Sequence, residues 1–488
     1  MPPSPQPTTD PRPHRLAWCI ALGLFIPIIG TLAVIAFWPL PSPKPYRERA
    51  LALMQGDHTT LDLERGKQAV LDLESIRADM DAIQGEVIAA FTATHGTPPT
   101  DTNGNPGKWI ASPQLLAGPD YAKRATPTEI ELARKSLQLY EERGIFDRIE
   151  AFADTPILWA DLDPTTSILH DGPLLNTRSL LRGITRELCA RLKTAAERND
   201  AEVARRSSRA ALRIANLQGN GSANLDAIFA IALRALALNE AIEIALNPDI
   251  ESDVIRAMLD EFNSAKPLRT MIAAFAIERP YVIESWLVEA GHFTALERLD
   301  MFVTQTPGPR EWIAALNHAH DAIDAVAANP DPRAGIDLST VPVYKFPFAF
   351  GDLDLHQHCI ALHRLSRNHI SLQTQYNATR LLLAITLYQR EHHNTPPRTL
   401  SDLVPDYLPS LPQDPYAPDH QFRYRILPPL EANQRQTRFI LYSVGYDAID
   451  NQGAPPIGAR DSLEPLHSDK HPNTDAIFHP RLTRPQQP

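Results

Sequence analysis

Proline is crowded at both ends of this chain and nearly missing from its centre. Of 45 prolines, eleven fall within residues 1–45 and sixteen within 396–488, while 178–279 holds only Pro248 and Pro267. Proline lacks a backbone N–H and its ring clashes with the preceding helical turn, so long helices belong in the depleted centre. The two rich ends read as tails, linkers or turn-dense structure. At roughly 150 residues per domain, the length leaves room for about three domains. Hydrophobic residues make up 43% of the chain, the globular norm, which excludes a wholly disordered protein. Collagen is excluded because 21 glycines cannot fill every third position. A formal net charge of −11 argues against a nucleic-acid partner, which a basic footprint would announce.

Residues 1–15 (MPPSPQPTTDPRPHR) are polar and proline-rich and read as a disordered tail. From Leu16 to Leu40 no residue is charged: LAWCIALGLFIPIIGTLAVIAFWPL. About 20 apolar residues in a helix cross a hydrocarbon core, so 16–40 is expected to be a transmembrane helix in the lipid bilayer. Trp18 and Trp38 suit the two interfaces, and Pro27 is tolerable within a span. A cleaved signal peptide would have an apolar region of roughly 7–15 residues before an A-x-A-like site. Ala33-Val34-Ile35-Ala36 has the wrong spacing, so the segment reads as an uncleaved signal anchor. Arg12 and Arg15 precede it while Lys44, Arg47 and Arg49 follow, which is nearly neutral on orientation. A short tail stays inside easily, and that favours export of the large remainder. Cys19 lies in the span; Cys189 and Cys359 sit in separate segments, with room for one disulfide and no CxxC pair.

In residues 62–95, Leu63, Val70, Leu73, Ile76, Met80, Ile83, Val87 and Phe91 recur at helical spacing, which predicts one long amphipathic helix. A second is expected over Thr128–Ala151, behind Pro127. The proline-poor stretch then reads as successive helical hairpins. Leu181, Ile184, Leu188 and Leu192 share a face; Asn199-Asp200 turns the chain; Val203, Ala210, Ile214 and Leu217 share the next. After Gly219-Asn220-Gly221 comes a helix apolar all round (Ile228, Phe229, Ile231, Leu233, Leu236, Leu238), the expected buried centre. Further helices are expected near 250–262, 266–290, 309–328 and 353–393. The segment LCARLKTAAERNDAEVARRSSRAALRIANL resembles a tetratricopeptide unit, although no regular 34-residue period carries the full signature. The wider stretch 62–290 resembles uncharacterised membrane-anchored helical proteins of bacteria, which implies a style of fold.

Toward the C-terminus, Thr399–Leu408, Leu411–Tyr416, Phe422–Arg425 and Tyr442–Gly453 follow a long helix in fixed order. That succession resembles the globular head of the major pseudopilin of type II secretion systems. The residues agree independently: a short helix at 399–404 ends at Pro405, Asp414-Pro415 makes a turn, and Phe422–Ile426 and Arg438–Ser443 alternate as strands. Strands packed on a helix give a small α+β module. Unlike a pseudopilin, the chain places residues 41–351 between its apolar span and this head, which argues against assembly into a filament.

The resemblance implies a calcium-binding final loop, and Ser443, Asp447, Asp450 and Asn451 are the matching candidates. His356, Cys359 and His363 lie at i, i+3 and i+7 on one helical face and are the candidates for zinc, one ligand short of a structural site. Arg205, Arg206, Arg209 and Arg213 make a basic stripe, better read as a solvated face than as an anion site. Glu278-Arg279, inside an apolar stretch, reads as an ion pair in a helical interface. No G-x-S-x-G elbow, Walker loop, H-E-x-x-H or dinucleotide fingerprint occurs.

The expected fold is mainly α: a disordered tail (1–15), a transmembrane helix (16–40), a helical-hairpin domain (46–345), an α+β module (352–455) and a disordered end (456–488). The expected function is a single-pass interaction or scaffold protein of the bacterial inner membrane, its large domain extracytoplasmic. Protein partners, linked to a secretion or pilus-like assembly, follow from the resemblance. The alternative is an envelope enzyme or zinc-dependent protein built on the His356/Cys359/His363 face.

Overall fold

The computed structural model describes residues 40–479, apart from 102–103, 105–106, 119–124, 160–171, 220–223, 293–308, 330, 332, 343–344, 349–350, 418, 428–437, 455–465 and 467–473. The expected span at 16–40 lies outside these except for Leu40, and so does the tail at 1–15. No helix among the described residues is long and apolar enough to cross a membrane.

The described chain is mainly helical. α1 (Lys44–Gln55) is followed by α2 (Thr60–His95), whose start is fixed by a capping box between Thr59 and Asp62. The single helix expected over Thr128–Ala151 is two, α3 (Pro127–Glu142) and α4 (Ile145–Ala153). Gly144, at φ 68°, takes the left-handed conformation that breaks them, one that side chains with a Cβ disfavour. α5 (Gly172–Glu197), α6 (Ala201–Gly219), α7 (Asn224–Leu246) and α8 (Ser252–Ser264) are the successive hairpins expected in the proline-poor stretch. α9 (Met271–Gly291), α10 (Pro309–Ala327) and the long α11 (Leu355–Glu391) complete the helices. β1 (Lys345–Phe348) and β2 (Gly351–Asp354) form an antiparallel hairpin just ahead of α11.

Two hydrophobic cores divide this array, and the division falls inside α11. The first gathers α2 to α8 with the second half of α11, from Leu372 onward, and the C-terminal strands. The second gathers α1, α9 and α10 with Leu355, Cys359, Leu362 and Leu365 of the first half of α11. The expected boundary between 345 and 352 is therefore corrected: the α+β module shares its core with α5–α8 and is not packed on its own. Polar bonds reinforce the join. Asn263 of α8 donates to Tyr407 O (3.1 Å), Arg380 of α11 donates to Asn263 Oδ1 (3.0 Å), and Tyr407 donates to Glu391 (2.7 Å).

Three arginines sit in these joints with their guanidinium groups on backbone carbonyls at helix ends. Arg234 Nη2 donates to Lys266 O (2.7 Å) past the end of α8, and Arg390 Nη2 to Asn247 O (2.7 Å) past α7. Arg269 Nη2 donates to Leu53 O (3.2 Å) in the last turn of α1. The last carbonyls of a helix lack intrahelical donors and carry partial negative charge, which a cation satisfies. Burial holds all three guanidinium groups below their ordinary pKa, and Arg234 is only 1% exposed.

The C-terminal sheet has the order β3-β4-β5, with β3 at Arg423–Leu427, β4 at Arg438–Ser443 and β5 at Ala476–His479, all antiparallel. β4 is buried on both faces: Phe439 and Leu441 join the first core, while Ile440 and Tyr442 pack with Ile477 on the other side. β5 corrects the expectation of a disordered end over 456–488. Ala476, Ile477 and Phe478 are buried in that stretch, and Leu466 accepts a hydrogen bond from the Tyr416 hydroxyl at 2.8 Å.

Candidate functional site

The turn after β4 is where the sequence placed its calcium candidates, and the structure shows what each does. Ser443 is fully buried and its Oγ accepts from Gly445 N (3.1 Å). Asp447 Oδ1 accepts from Ile449 N (3.0 Å), a local turn bond. Asp450 Oδ1 accepts from the Tyr442 hydroxyl (3.0 Å) and Gln452 N (2.8 Å), while Oδ2 accepts from Arg423 Nε (3.2 Å). Asn451 spends its side-chain amide on Ile449 O (3.0 Å).

A fifth residue closes the turn. Asp475, at the entry to β5, accepts from Gly453 N on one carboxylate oxygen (2.7 Å) and from Asn451 N on the other (3.3 Å). Burial raises its pKa to about 6 against these bonds. Gly453 has φ 79°, a left-handed conformation that favours glycine, and a Cβ there would press on the Ile440 Cδ1 methyl. Calcium takes six to eight oxygens with little competition. Here a guanidinium stands beside Asp450 and backbone N–H groups take the other carboxylates, so the donor set as assembled is a poor match for the ion. Among the described residues no group of three or more His, Cys, Asp or Glu side chains is placed to hold a metal.

The histidine face of α11 is also dispersed. His356 Nε2 lies 2.8 Å from Val341 O, fixing the turn that precedes β1. Cys359 is fully buried with its Sγ 4.0 Å from Ala319 O, and burial pushes the thiol up to about 11. His363 is half-buried, its pKa lowered by desolvation and by Arg367. The helical repeat does align these side chains, but His356 and Cys359 face different backbone carbonyls, and His363 Nδ1 is sealed from solvent with no hydrogen-bond partner. What the structure brings together instead is His320 of α10 and His358 of α11, their rings edge to face at 5.4 Å. His320 is fully buried and neither of its ring nitrogens has a hydrogen-bond partner; His358 Nε2 is sealed in the same way. Desolvation lowers both pKa values, His358 to about 4. Cys189 and Cys359 are both free and buried in different cores, so the two do not form a disulfide.

The basic stripe of α6 is neutralised from within. Arg206 Nε donates to Glu150 (2.6 Å) and its Nη2 pairs with Asp147, both on α4. Arg209 forks onto Glu261 of α8 (2.9 and 2.6 Å), Arg205 onto Glu202 (2.7 Å), and Arg213 pairs with Asp154. Arg191 of α5, with its side chain 2% exposed, extends the network to Glu141 and Glu150 (both 2.6 Å) and lies over the Phe146 ring. Arg279 likewise belongs to a helical interface, but its partners are Asp324 (2.6 Å) and Asp321 (2.8 Å) of α10. A cleft of about 450 Å³ beside this network is lined by both signs of charge, including Arg209, Arg213, Lys266, Asp154 and Glu261.

A larger cleft, about 610 Å³, opens between the end of α7, the start of α8, the end of α11 and the sheet, with Glu251, Asp253, Gln389, Arg390 and His479 in its wall. Asp475 and the His320–His358 pair escaped the sequence reading because no local spacing marks them: their partners lie 22 to 38 residues away. A short apolar run, AIFH, directly after Asp475 was the available signal for a third strand. No family model matches this chain, and no curated protein and no solved structure matches it either.

Proposed function

We propose that the protein is a single-pass, membrane-anchored interaction scaffold of the bacterial cell envelope, holding its C-terminal α+β face out to a protein partner. The observation that carries this reading is the seating of α1. α1 begins four residues after the apolar run 16–40, and its Arg47 donates to Glu284 of α9 at 3.2 Å. That carboxylate is fully buried and the guanidinium nearly so, at 12% exposure. A buried pair with one member removed is strongly destabilising, so α1 is tied firmly to the second core. From there α11 runs without interruption into the first core and the sheet. A chain that leaves the bilayer at residue 40 would thus be connected to its head by packed helix throughout. The abundance of charged side chains committed to one another, as in the Arg191–Glu150–Arg206 network, suits a supporting body.

The exported orientation and a link to a secretion or pilus-like assembly rest on the anchor pattern and on the head's motifs. Fractionation and protease accessibility in intact spheroplasts test the first part: the full chain is expected in the membrane and its large domain open to protease. Recovery in the soluble fraction, or full protection, overturns it. Cross-linked pull-down from solubilised membranes tests the second, with partner capture lost on substitution of exposed residues of β3 such as Arg425 and Ile426. Stoichiometric metal in the purified protein would overturn the scaffold reading in favour of a metal-dependent one.

A further inference from the structure

Between α2 and α3 the chain crosses the helical array as a strap, Gly107–Gly118, built from two 3-10 turns at Lys108–Ala111 and Pro113–Leu116. Ile110, Ala111, Leu115 and Leu116 anchor it, each 9% exposed or less. Its polar groups meet two acids that rise from the helices beneath. Glu187 of α5, 1% exposed, accepts from the Ser112 hydroxyl on Oε1 at 2.8 Å. Glu240 of α7, 3% exposed, accepts from Gly118 N on Oε2 at 3.0 Å. The remaining oxygen of each, Glu187 Oε2 and Glu240 Oε1, is sealed from solvent with no hydrogen-bond partner.

Two buried carboxyls, each bonded to the same strap and each with an orphaned oxygen, are expensive as anions and much cheaper as neutral acids. The surroundings offset the charge only in part. Around Glu187, the Ser112 hydroxyl and Gln114 N–H of the strap and Arg77 of α2 favour the anion, while Asp81 of α2 and the neighbouring Tyr140 hydroxyl of α3 give it no support. Around Glu240 stand Lys193 and Glu197 of α5, Glu243 of α7 and the Cys189 thiol of α5, which itself feels Arg186. Desolvation is the largest influence on both acids and raises each to about 7.

We propose that Gly107–Gly118 is a proton-latched strap: Glu187 and Glu240 hold it against α5 and α7 while protonated, and their ionisation frees it from the array. The sign follows from linkage. A glutamate in the released strap's wetted site titrates near 4.5, its ordinary value, while the docked site holds its proton to about 7. Docking is therefore strongest below 4.5, weakens as pH rises from there through 7, and stays weak above.

Hydrogen exchange on the full chain in detergent, read by mass spectrometry at pH 5 and pH 8 and corrected for intrinsic exchange rates, tests the latch. Strap amides are expected to lose at least ~10-fold in protection at pH 8 while α5 and α6 keep theirs. The double variant Glu187→Gln/Glu240→Gln is expected to keep strap protection at pH 8. Equal protection of the wild-type strap at both pH values, or a variant that tracks wild type, overturns the proposal. Should the double variant misfold, difference infrared spectroscopy of wild type decides: buried carboxylic-acid bands that vanish with a midpoint near 7 support the latch, and their absence at pH 5 sinks it.

Discussion

The two cores that share α11 each bury a carboxylate–arginine pair, Arg178–Asp226 in the first and Arg47–Glu284 in the second, and differ in the other polar groups they enclose. The first, built on alanine-rich helices, encloses carboxyls and arginines: Glu187 and Glu240 beneath the strap, and the Arg178–Asp226 pair, whose side chains are 6% and 7% exposed. The second is stitched by aromatic packing, Trp286 on Trp312 at 4.4 Å, and encloses imidazoles at His320 and His358. Acids raised by burial lose folded-state stability as pH climbs, whereas imidazoles lowered by burial lose it as pH falls. The acids beneath the strap thus lose stability as pH climbs and the His320–His358 pair loses it as pH falls, in two cores joined by a single helix.

The largest expected effect separates the halves outright. Trp312 is fully buried and stacked, so Trp312→Ala should cost roughly 3–5 kcal/mol. Hydrogen exchange should show α9 and α10 losing protection while α5–α8 retain theirs. Loss spread evenly across both cores would mean that α11 couples them into one cooperative unit.

How much of this was legible beforehand differs between the halves for physical reasons. The α5–α8 hairpins followed from apolar spacing and from the missing prolines, because both are local properties. The α3–α4 break did not, since one glycine interrupts what is otherwise a continuous apolar face. α1 begins at Lys44, two residues ahead of the helical domain expected from 46, because Pro45 is well suited to the first turn of a helix. In the head, Asp450 and Asn451 were marked by their own turn, whereas Asp475 matters only because β5 pairs with β4. A resemblance of motifs pointed to this turn, while Asp475, which bonds across it, lies 22 residues beyond Gly453.

Second in size, the charge pair of the first core can be set against that of the second. Arg178→Met leaves the Asp226 carboxylate buried without its guanidinium partner, and should cost about 3–4 kcal/mol. Arg178→Met combined with Asp226→Leu should recover most of that loss in urea unfolding. If the double variant is as unstable as the single, the pair's value lies in its hydrogen bonds to neighbours and not in charge compensation.

The acid limb comes next. His358 titrates at about 4 in the fold against 6.5 when exposed, so the unfolded chain binds the extra proton and stability declines from pH 6.5 down to 4. By pH 4 that amounts to roughly 3 kcal/mol from this residue. His320 is also lowered by desolvation and adds to the same slope. Thermal unfolding followed across pH 4–8 should show the second core failing first on the acid side, and His320→Leu should flatten the slope. An unchanged profile in that variant would detach the histidine pair from the acid response.

The smallest effect decides what closes the head's turn. Asp475→Ala removes the acceptor for Asn451 N and Gly453 N and should cost about 1–2 kcal/mol, seen as local exchange at 451–454 and fraying of β5. Asp475→Asn keeps an acceptor oxygen and should lose less. Because Asp475 is raised to about 6, from 3.8 in the unfolded chain, the aspartate form is itself costly above that pH. The asparagine variant should therefore approach wild type as pH rises through that window, and fall behind as it drops. Calcium provides the opposing test on the same turn. With Arg423 beside Asp450 and backbone donors on Asp447 and Asp475, millimolar calcium should leave Tm unchanged. A calcium-dependent rise in Tm that Asp450→Asn abolishes would show that the cation displaces Arg423, and that the head is metal-closed after all.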